Sequence, residues 1–348
     1  MRAAYFYGVG DIRYEEVPKP EICENEVLLK VHAAALCGTD LRIYKSGHYR
    51  IQPGEKRALC HEFAGEIAEA GSKVKGWRVG QRVSVVPNVG CGSCPMCLRG
   101  LNQLCPDYMA FGVCYDGGLS EYVRIPQAAV ERGNLVEIPD DLSYEEAALI
   151  EPFACTVHSR DMLKTEPGDT VVIIGAGPIG ACHVMINSLA GASKILVADI
   201  SDTRLEEIRK FGADVVINSA REDLAEAVRR ETNGFGADVV ITACSVPEIQ
   251  ELALELAAPR GRINLFGGMP KGKETVPLYT NHIHYNELHV LATTGCCYSD
   301  YRAGMRIAAS RSLPLKNLIS RVWRIEEVQE AFAFALSGQG MKNMIRYD

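Results

Sequence analysis

The sequence lacks several features that mark particular classes of protein. No stretch reaches the ~18 apolar residues of a membrane span, and glycines at 8 and 10 interrupt the first residues before an apolar run forms, so no secretory leader is expected. No long run of Lys or Arg is present and the net charge is −7, which disfavours nucleic acid and anionic membranes as partners. The 13 cysteines are an odd number, which excludes a fully paired disulfide framework. We therefore expect a cytosolic protein whose cysteines bind metal, do chemistry or pack as small apolar residues.

The two halves of the chain differ in their hydrophobic patterns. Its 348 residues suggest about two domains at ~100–200 residues each. Residues 1–150 carry short β-rich runs broken by glycine and proline, which predicts a mostly β domain. From Thr170 onward, apolar strands alternate with helical patterns, which predicts an α/β fold with a parallel sheet covered on both faces. The predicted strands are 171–174, 194–199, 214–217, 237–241, 262–266 and 288–292, and the predicted helices lie near 178–190, 203–211, 220–232, 247–257, 301–310 and 325–337.

A glycine-rich loop joins the first of these strands to the first helix, as Gly175-Ala176-Gly177-Pro178-Ile179-Gly180. The first glycine permits the tight turn, the second lets backbone approach a pyrophosphate, and the third lets helix and strand pack closely. Asp199 ends the next strand, where a carboxylate binds ribose hydroxyls and repels a 2′-phosphate. The pattern predicts an NAD site; Arg204 is the alternative that would accept NADP.

Four cysteines lie within fifteen residues, spaced Cys91-x2-Cys94-x2-Cys97-x7-Cys105. Four thiolates suit Zn²⁺ and leave no open coordination position, so the spacing predicts a structural zinc.

A second set of metal-binding residue types is dispersed along the first half: Cys37, His61, Glu62 and Glu151. A thiolate, an imidazole and a carboxylate can hold a catalytic zinc with one position left for substrate. The alternative is that His61 and Cys37 are ordinary core residues.

Taken in this order, the motifs resemble the zinc-dependent medium-chain dehydrogenase/reductase family. The resemblance is carried by Cys37-Gly38-Thr39-Asp40, His61-Glu62-Phe63-x-Gly65, the four-cysteine segment, Asp116-Gly117-Gly118-x2-Glu121-Tyr122, Glu151-Pro152, the glycine loop and Asp199. Glu151-Pro152 is similar to the sorbitol (polyol) and threonine dehydrogenase branch. The resemblance implies a GroES-like catalytic domain of residues 1–155 and 296–348, with a zinc lobe near 88–106, and a Rossmann NAD-binding domain of residues 156–295. It also implies a homodimer or homotetramer.

The same resemblance implies roles for single residues. Cys37, His61 and either Glu62 or Glu151 would hold the catalytic zinc, and Thr39 would contact the substrate oxygen. The cofactor contacts would be Gly175, Gly177, Pro178, Ile179, Gly180, Asp199, Arg204, Phe266 and Gly267. The expected cofactors are therefore NAD and two zinc ions per chain.

Two positions depart from the family pattern. Cys60 stands before His61, where glycine is usual. Arg42 replaces a histidine that relays protons, and an arginine cannot deprotonate at working pH. The relay would then use ribose hydroxyls and water, or His48. Arg42 itself is either a solvated surface residue or a site for an anionic substrate group.

The resulting functional hypothesis is a small-molecule oxidoreductase. It would interconvert a secondary alcohol (a polyol, a sugar alcohol or its phosphate) and the ketone by hydride transfer to NAD. One alternative is an L-threonine 3-dehydrogenase or another alcohol dehydrogenase. The other is a nucleotide-binding scaffold without catalysis, against which the presence of Cys37, His61, Glu62 and Glu151 together argues.

Overall fold

The computed structural model describes residues 1–310 and 313–347. Within these ranges, none of the helices combines the length and apolar character that crossing a membrane requires. All 13 cysteines are free thiols. The described strands are β1 (Arg2–Gly8), β2 (Asp11–Glu16), β3 (Val27–Ala35), β4 (Arg57–Ala58), β5 (Glu62–Ala70), β6 (Arg82–Val85), β7 (Asn88–Val89), β8 (Met109–Ala110), β9 (Tyr122–Ile125), β10 (Leu135–Glu137), β11 (Thr170–Ile174), β12 (Lys194–Asp199), β13 (Val215–Asn218), β14 (Ala237–Thr242), β15 (Ala257–Leu265), β16 (His289–Ala292), β17 (Ile319–Arg324) and β18 (Lys342–Arg346).

The helices of the described residues are mostly short. They are α1 (Gly38–Ser46), α2 (Pro95–Leu98), α3 (Gln127–Arg132), α4 (Tyr144–Ala148), α5 (Ile150–Leu163), α6 (Pro178–Leu189), α7 (Asp202–Ile208), α8 (Leu224–Glu231), α9 (Pro247–Leu256), α10 (Thr280–Tyr285), α11 (Tyr298–Ala309) and α12 (Val328–Leu336). Single 3₁₀ turns occupy Asn102–Leu104, Arg209–Phe211, Leu315–Leu318 and Ile325–Glu327.

The chain divides into two compact units, one of Met1–Ala154 with Cys296–Asp348 and one of Cys155–Gly295. The first unit is built on a seven-stranded sheet of order β10-β6-β5-β3-β18-β17, with β9 also paired to β3. A three-stranded sheet, β2-β1-β4, accompanies it. The late strand β18 pairs antiparallel with the early strand β3, with Met344 opposite Ala35. The tail of the chain is therefore part of the first unit's central sheet.

The core of the first unit is apolar and rich in aromatic rings. Phe63 and Phe111 are fully buried, with ring centroids 5.8 Å apart in an edge-to-face arrangement. Full burial of each such side chain stabilises the fold by about 1.5–3 kcal/mol. This packing fixes the backbone on which the metal-binding residue types lie.

The second unit is a six-stranded sheet of order β13-β12-β11-β14-β15-β16. All of its adjacent strands are parallel. Val171, Val172 and Ile173 have no solvent exposure, as expected for a strand covered on both faces. The predicted doubly wound Rossmann sheet is confirmed.

Some predicted helix limits were wrong, and hydrogen bonds at the helix starts explain why. The helix predicted from 220 begins at Leu224, because the Asp223 carboxylate accepts a hydrogen bond from the Glu226 N–H at 2.8 Å. The helix predicted from 301 begins at Tyr298. There the Asp300 carboxylate accepts from the Cys297 N–H at 2.9 Å.

Candidate metal centres and cofactor site

The dispersed residues of the first unit meet in space. Cys37 directly precedes α1, His61 directly precedes β5, and Glu62 is its first residue. One donor atom from each of these three lies within 4.8 Å of the others, and His61 Nε2 is 4.0 Å from Glu151 Oε2. We refer to Cys37, His61, Glu62 and Glu151 as the dispersed cluster.

Asp40, whose role the sequence analysis missed, joins two backbone segments that carry residues of this cluster. Its carboxylate accepts hydrogen bonds from the Cys37 N–H at 2.8 Å and from the Cys60 N–H at 2.9 Å. Asp40 is only 1 % exposed, so both bonds are shielded from water. The Cys-x-x-Asp pattern at the start of a helix could have identified the role of Asp40. An acidic residue at the third helical position accepts a hydrogen bond from the backbone N–H of the N-cap residue, here Cys37.

The backbone just before His61 is strained. Cys60 has φ of 73°, in the left-handed region that favours glycine, and its side chain is fully buried. Its thiol donates to the Ala35 carbonyl at 3.1 Å. A Cβ on Gly117 would lie 2.0 Å from the Cys60 carbonyl oxygen, so the neighbouring loop packs directly on this turn.

Glu62 forms a buried ion pair with Lys342, a residue absent from the sequence predictions. Lys342 Nζ lies 2.5 and 2.6 Å from the two Glu62 carboxylate oxygens and donates a third bond to the Leu36 carbonyl at 3.4 Å. Glu62 is unexposed and Lys342 is 4 % exposed. Burial raises the pKa of Glu62, while the Lys342 ammonium opposes that rise. Nothing local to Glu62 in the sequence could indicate a partner 280 positions later.

Glu151 lies in the first turn of α5 rather than in an extended link, and it is 7 % exposed. The Sγ atom of Cys296 lies within 4.8 Å of a Glu151 carboxylate oxygen. Burial alone would lower the pKa of His61, but the negative charges of Cys37, Glu151 and Asp40 raise it well above its usual value. The dispersed cluster therefore attracts a cation. One thiol, one imidazole and carboxylates form a donor set that fits Zn²⁺.

The four cysteines of the lobe also converge. Their Sγ atoms lie within 4.8 Å of one another. Three backbone N–H groups donate hydrogen bonds to these sulfurs over 3.2–3.4 Å. The Cys91 N–H donates to Cys105 Sγ, the Cys94 N–H to Cys91 Sγ, and the Cys97 N–H to Cys94 Sγ. Hydrogen bonds from Ser93 lower the pKa of the Cys91 thiol to about 6. Four thiols with N–H support suit a tetrahedral zinc with no open position.

The lobe is fastened to the rest of the first unit by polar contacts. The Arg132 guanidinium donates to the Gly90 carbonyl. The Asn134 side chain donates to the Asn88 carbonyl at 3.1 Å, and Asn102 accepts from the Tyr298 N–H at 3.1 Å. The lobe thereby holds the start of α11, two residues after Cys296.

In the second unit, the glycine loop has the shape that a pyrophosphate requires. Gly175 has φ of 116°, and a Cβ on Gly180 would lie 2.0 Å from the Gly175 carbonyl oxygen. A Cβ on Gly177 would meet nothing within 4 Å, so this residue faces open space at the start of α6. Pro178 and Ile179 are the first two residues of that helix. The exposed helix N-terminus fits the phosphates of a dinucleotide.

Asp199 ends β12, as predicted, and its carboxylate is held in place. One oxygen accepts from the Ala176 N–H at 2.8 Å and the other from the Ser201 N–H at 2.9 Å. Arg204 lies in the first turn of α7, five residues later. Phe266 and Gly267 follow β15, where a Cβ on Gly267 would lie 2.1 Å from the Cys244 carbonyl oxygen.

The sequence matches two protein families. Residues 23–140 match the alcohol dehydrogenase GroES-like domain, and residues 178–310 match the zinc-binding dehydrogenase family. The chain is 36 % identical over 338 residues to sorbitol dehydrogenase of Bacillus subtilis, covering 97 % of this chain and 94 % of that protein. It is 35 % identical over 331 residues to L-threonine 3-dehydrogenase of Pyrococcus horikoshii, covering 93 % of this chain and 91 % of that protein.

A solved structure of similar fold is galactitol-1-phosphate dehydrogenase from Escherichia coli, with a TM-score of 0.90, 28 % identity and full coverage of both chains. The GroES-like and Rossmann fold prediction is thus confirmed, as is the predicted family. The chain belongs to the zinc-dependent medium-chain dehydrogenase/reductase family, in its sorbitol and threonine dehydrogenase branch, and is an enzyme of the alcohol dehydrogenase class.

Proposed function

We propose that the protein catalyses the NAD-linked interconversion of a secondary alcohol and its ketone, with a polyol, a sugar alcohol or its phosphate as the alcohol. The observation that carries this proposal is the dispersed cluster, in which a thiol, an imidazole and carboxylates converge beside Thr39 in the first turn of α1. A site with N, S and O ligands of this kind is typical of catalytic zinc.

We assign Cys37, His61 and Glu151 as the residues that hold the zinc. Both carboxylate oxygens of Glu62 already accept from Lys342, which favours Glu151 over Glu62 as the direct ligand. Glu62 would then lie behind the ligands and contribute its negative charge to the zinc site without binding the ion directly. When bound, zinc supplies Lewis-acid polarisation of the substrate oxygen.

The chain's own residues orient the substrate and move its proton. Thr39 is half-buried and carries a hydroxyl that can both accept and donate a hydrogen bond, so it receives the substrate proton and passes it onward. Asp40 fixes the backbone of Cys37 and Cys60 and so holds the spacing between two ligands. Arg42 has no proton to exchange at working pH, so the onward route uses water, ribose hydroxyls or His48.

We propose NAD rather than NADP as the cofactor. The Asp199 carboxylate, held by two backbone N–H groups, places negative charge where a 2′-phosphate would lie. Gly175, Gly177 and Gly180 would accommodate the pyrophosphate, with Phe266 and Gly267 on the nicotinamide side. We further propose two zinc ions per chain, a homodimer or homotetramer, and function in the reducing cytosol.

The test is a substrate panel combined with metal analysis. Metal-replete enzyme is mixed with NAD or NADP and with sorbitol, sorbitol 6-phosphate, D-gluconate or L-threonine, and NADH or NADPH absorbance is followed. The proposal expects two zinc ions per chain and turnover of a polyol-type substrate, with NAD favoured.

Turnover confined to L-threonine would identify the threonine 3-dehydrogenase alternative, whose relatives cover most of this chain. One zinc per chain and no turnover of any alcohol would identify a nucleotide-binding scaffold instead.

A further inference from the structure

Four basic residues follow Thr39 closely in the first unit: Arg42, Lys45, His48 and Arg50. Arg42 lies one helical turn after Thr39 in α1 and is exposed, whereas His48 and Arg50 are half-buried just beyond the end of that helix. Gly47, with φ of 71°, ends the helix and redirects the chain. We call Arg42, His48 and Arg50 the cationic cluster.

Arg50 is fixed in one orientation. Its guanidinium donates to the Tyr108 carbonyl and, at 3.1 Å, to the Tyr49 hydroxyl. It also lies over both rings, 4.6 Å from the Tyr108 centroid and 5.6 Å from that of Tyr49. An arginine that is held in this way loses little side-chain entropy when it binds a ligand.

His48 shares the electrostatic environment of both arginines. Its Nδ1 accepts from the Arg50 N–H at 3.2 Å, which leaves the proton of the neutral ring on Nε2 as a donor. Burial, and then the positive charges of Arg42 and Arg50, lower the pKa of His48. Among residues 1–310 and 313–347, no carboxylate forms an ion pair with either arginine. Both arginines act electrostatically on His48, and Arg50 also contacts the Cys114 Sγ atom at 3.7 Å, so neither guanidinium group is neutralised by a carboxylate of these residues.

Chain connections link both arginines to the segments around the dispersed cluster. Arg42 shares α1 with Thr39, and Cys37 directly precedes that helix. Arg50 donates to the carbonyl of Tyr108, which directly precedes β8. Gly112 lies two residues after β8, and a Cβ there would lie 3.0 Å from the carbonyl carbon of Cys60, the residue before His61.

We propose that the alcohol substrate carries an anionic group, a carboxylate or a phosphate, which Arg42 and Arg50 bind while Thr39 contacts the reacting hydroxyl. Guanidinium groups match both anions with paired N–H donors, whereas a neutral polyol would offer neither arginine a negative charge. This inference rests on the proposed function, because it takes the dispersed cluster as the reacting centre. It narrows the substrate class to sugar acids or phosphorylated sugar alcohols.

The test compares kcat/KM for sorbitol, sorbitol 6-phosphate and D-gluconate in the wild type, Arg42→Gln and Lys45→Gln. Lys45 is an exposed cation in the same helix and serves as the matched control. In the wild type we expect one anionic substrate to exceed sorbitol at least about 10-fold. In Arg42→Gln this ratio should fall about 10- to 100-fold, mainly through KM, while Lys45→Gln should leave it unchanged. Preference for D-gluconate or for sorbitol 6-phosphate identifies the anion as carboxylate or phosphate.

Equilibrium binding of sorbitol 6-phosphate and D-gluconate, measured by calorimetry, gives a readout that does not depend on turnover. Weaker binding by Arg42→Gln but not by Lys45→Gln supports the inference. Equal kcat/KM for neutral and anionic substrates, or equal binding by the wild type and Arg42→Gln, overturns it and leaves the proposed function standing. Absence of turnover on every alcohol by enzyme with both zinc ions loaded would refute the proposed function itself, while the binding measurement would still decide whether Arg42 holds an anion.

Discussion

The two groups of metal-binding residues in the first unit are built in opposite ways. The lobe takes its four cysteines from residues 91–105, and hydrogen bonds between neighbouring residues arrange them. The dispersed cluster takes its residues from positions 37 to 151, with a buried lysine from position 342 beside them. The lobe is therefore a product of local backbone geometry, whereas the dispersed cluster is a product of the whole unit's packing.

The backbone conformations show the same contrast. In the lobe, left-handed conformations fall on glycines, at Gly92 with φ of 82° and Gly100 with φ of 79°. Next to the dispersed cluster, directly before His61, Cys60 adopts this conformation despite its side chain. Strain of this kind persists only where surrounding packing fixes the backbone, which is typical of reacting sites. Four experiments would break or sharpen this comparison.

The largest expected effect is on kcat and comes from substituting a proposed zinc ligand of the dispersed cluster. Cys37→Ala should lower kcat by about 10⁴-fold, because a catalytic metal supplies several kcal/mol of transition-state stabilisation. The fold and NAD binding should persist, which circular dichroism and cofactor titration would check. Cys23→Ser removes an exposed thiol in the same unit and is the control. Near-wild-type turnover by metal-replete Cys37→Ala would rule out the catalytic-zinc assignment.

The second effect concerns the long-range ion pair. Lys342→Met leaves Glu62 buried without its partner and should reduce the free energy of unfolding by about 3–5 kcal/mol. The double variant Lys342→Met with Glu62→Gln should recover most of that loss, because no unpaired charge remains. Chemical denaturation measures both, with the exposed Lys316→Met as control. If the double variant is no more stable than Lys342→Met, the ion pair is not what stabilises this region.

The third effect tests the lobe. Cys97→Ala should remove one zinc per chain and lower the free energy of unfolding by about 2–3 kcal/mol, because the segment has no apolar core of its own. The folded fraction should keep kcat within about threefold of the wild type. Metal analysis beside thermal unfolding provides the measurement. A loss of kcat as large as that of Cys37→Ala would show that the two sites do not have separate roles.

The smallest effect isolates the strain at Cys60. Cys60→Ala and Cys60→Gly both delete the thiol, so they differ by the Cβ atom, whose cost in the left-handed backbone opposes the stability that it contributes elsewhere. The glycine variant should be more stable by about 1 kcal/mol, the reverse of the order expected at an ordinary helical or extended position. Equal stabilities, or greater stability of the alanine variant, would show that the turn relaxes and that no strain is stored before His61.

The sequence predicts a region well when the residues that form it lie close together along the chain. The lobe spacing and the glycine loop are local, so residue types and their intervals are sufficient to propose them. The parallel sheet follows from its apolar strands, of which Val171, Val172 and Ile173 are unexposed. These are the parts in which neighbouring residues determine the geometry.

The parts that escaped prediction depend on contacts between distant segments. The local Cys-x-x-Asp pattern indicates the bond between Asp40 and the Cys37 N–H, but the second bond of Asp40, to the Cys60 N–H twenty positions away, depends on the folded unit. Lys342 reads as an ordinary surface lysine until β18 joins β3. Glu151 approaches His61 from the first turn of α5, where Pro152 is tolerated because its missing N–H has no helical partner. In each case the residue type was visible and its partner was not.

The pairing of β18 with β3 also constrains when each site can form during synthesis. On the ribosome, the lobe has all four thiols once residue 105 has emerged, so it can take up metal while most of the protein remains to be translated. Glu62 receives its counter-charge only after residue 342 has been made and β18 has joined the sheet. Translation order would therefore let the four thiols of the lobe converge early, whereas the dispersed cluster gains the buried Glu62–Lys342 ion pair only after β18 has been made.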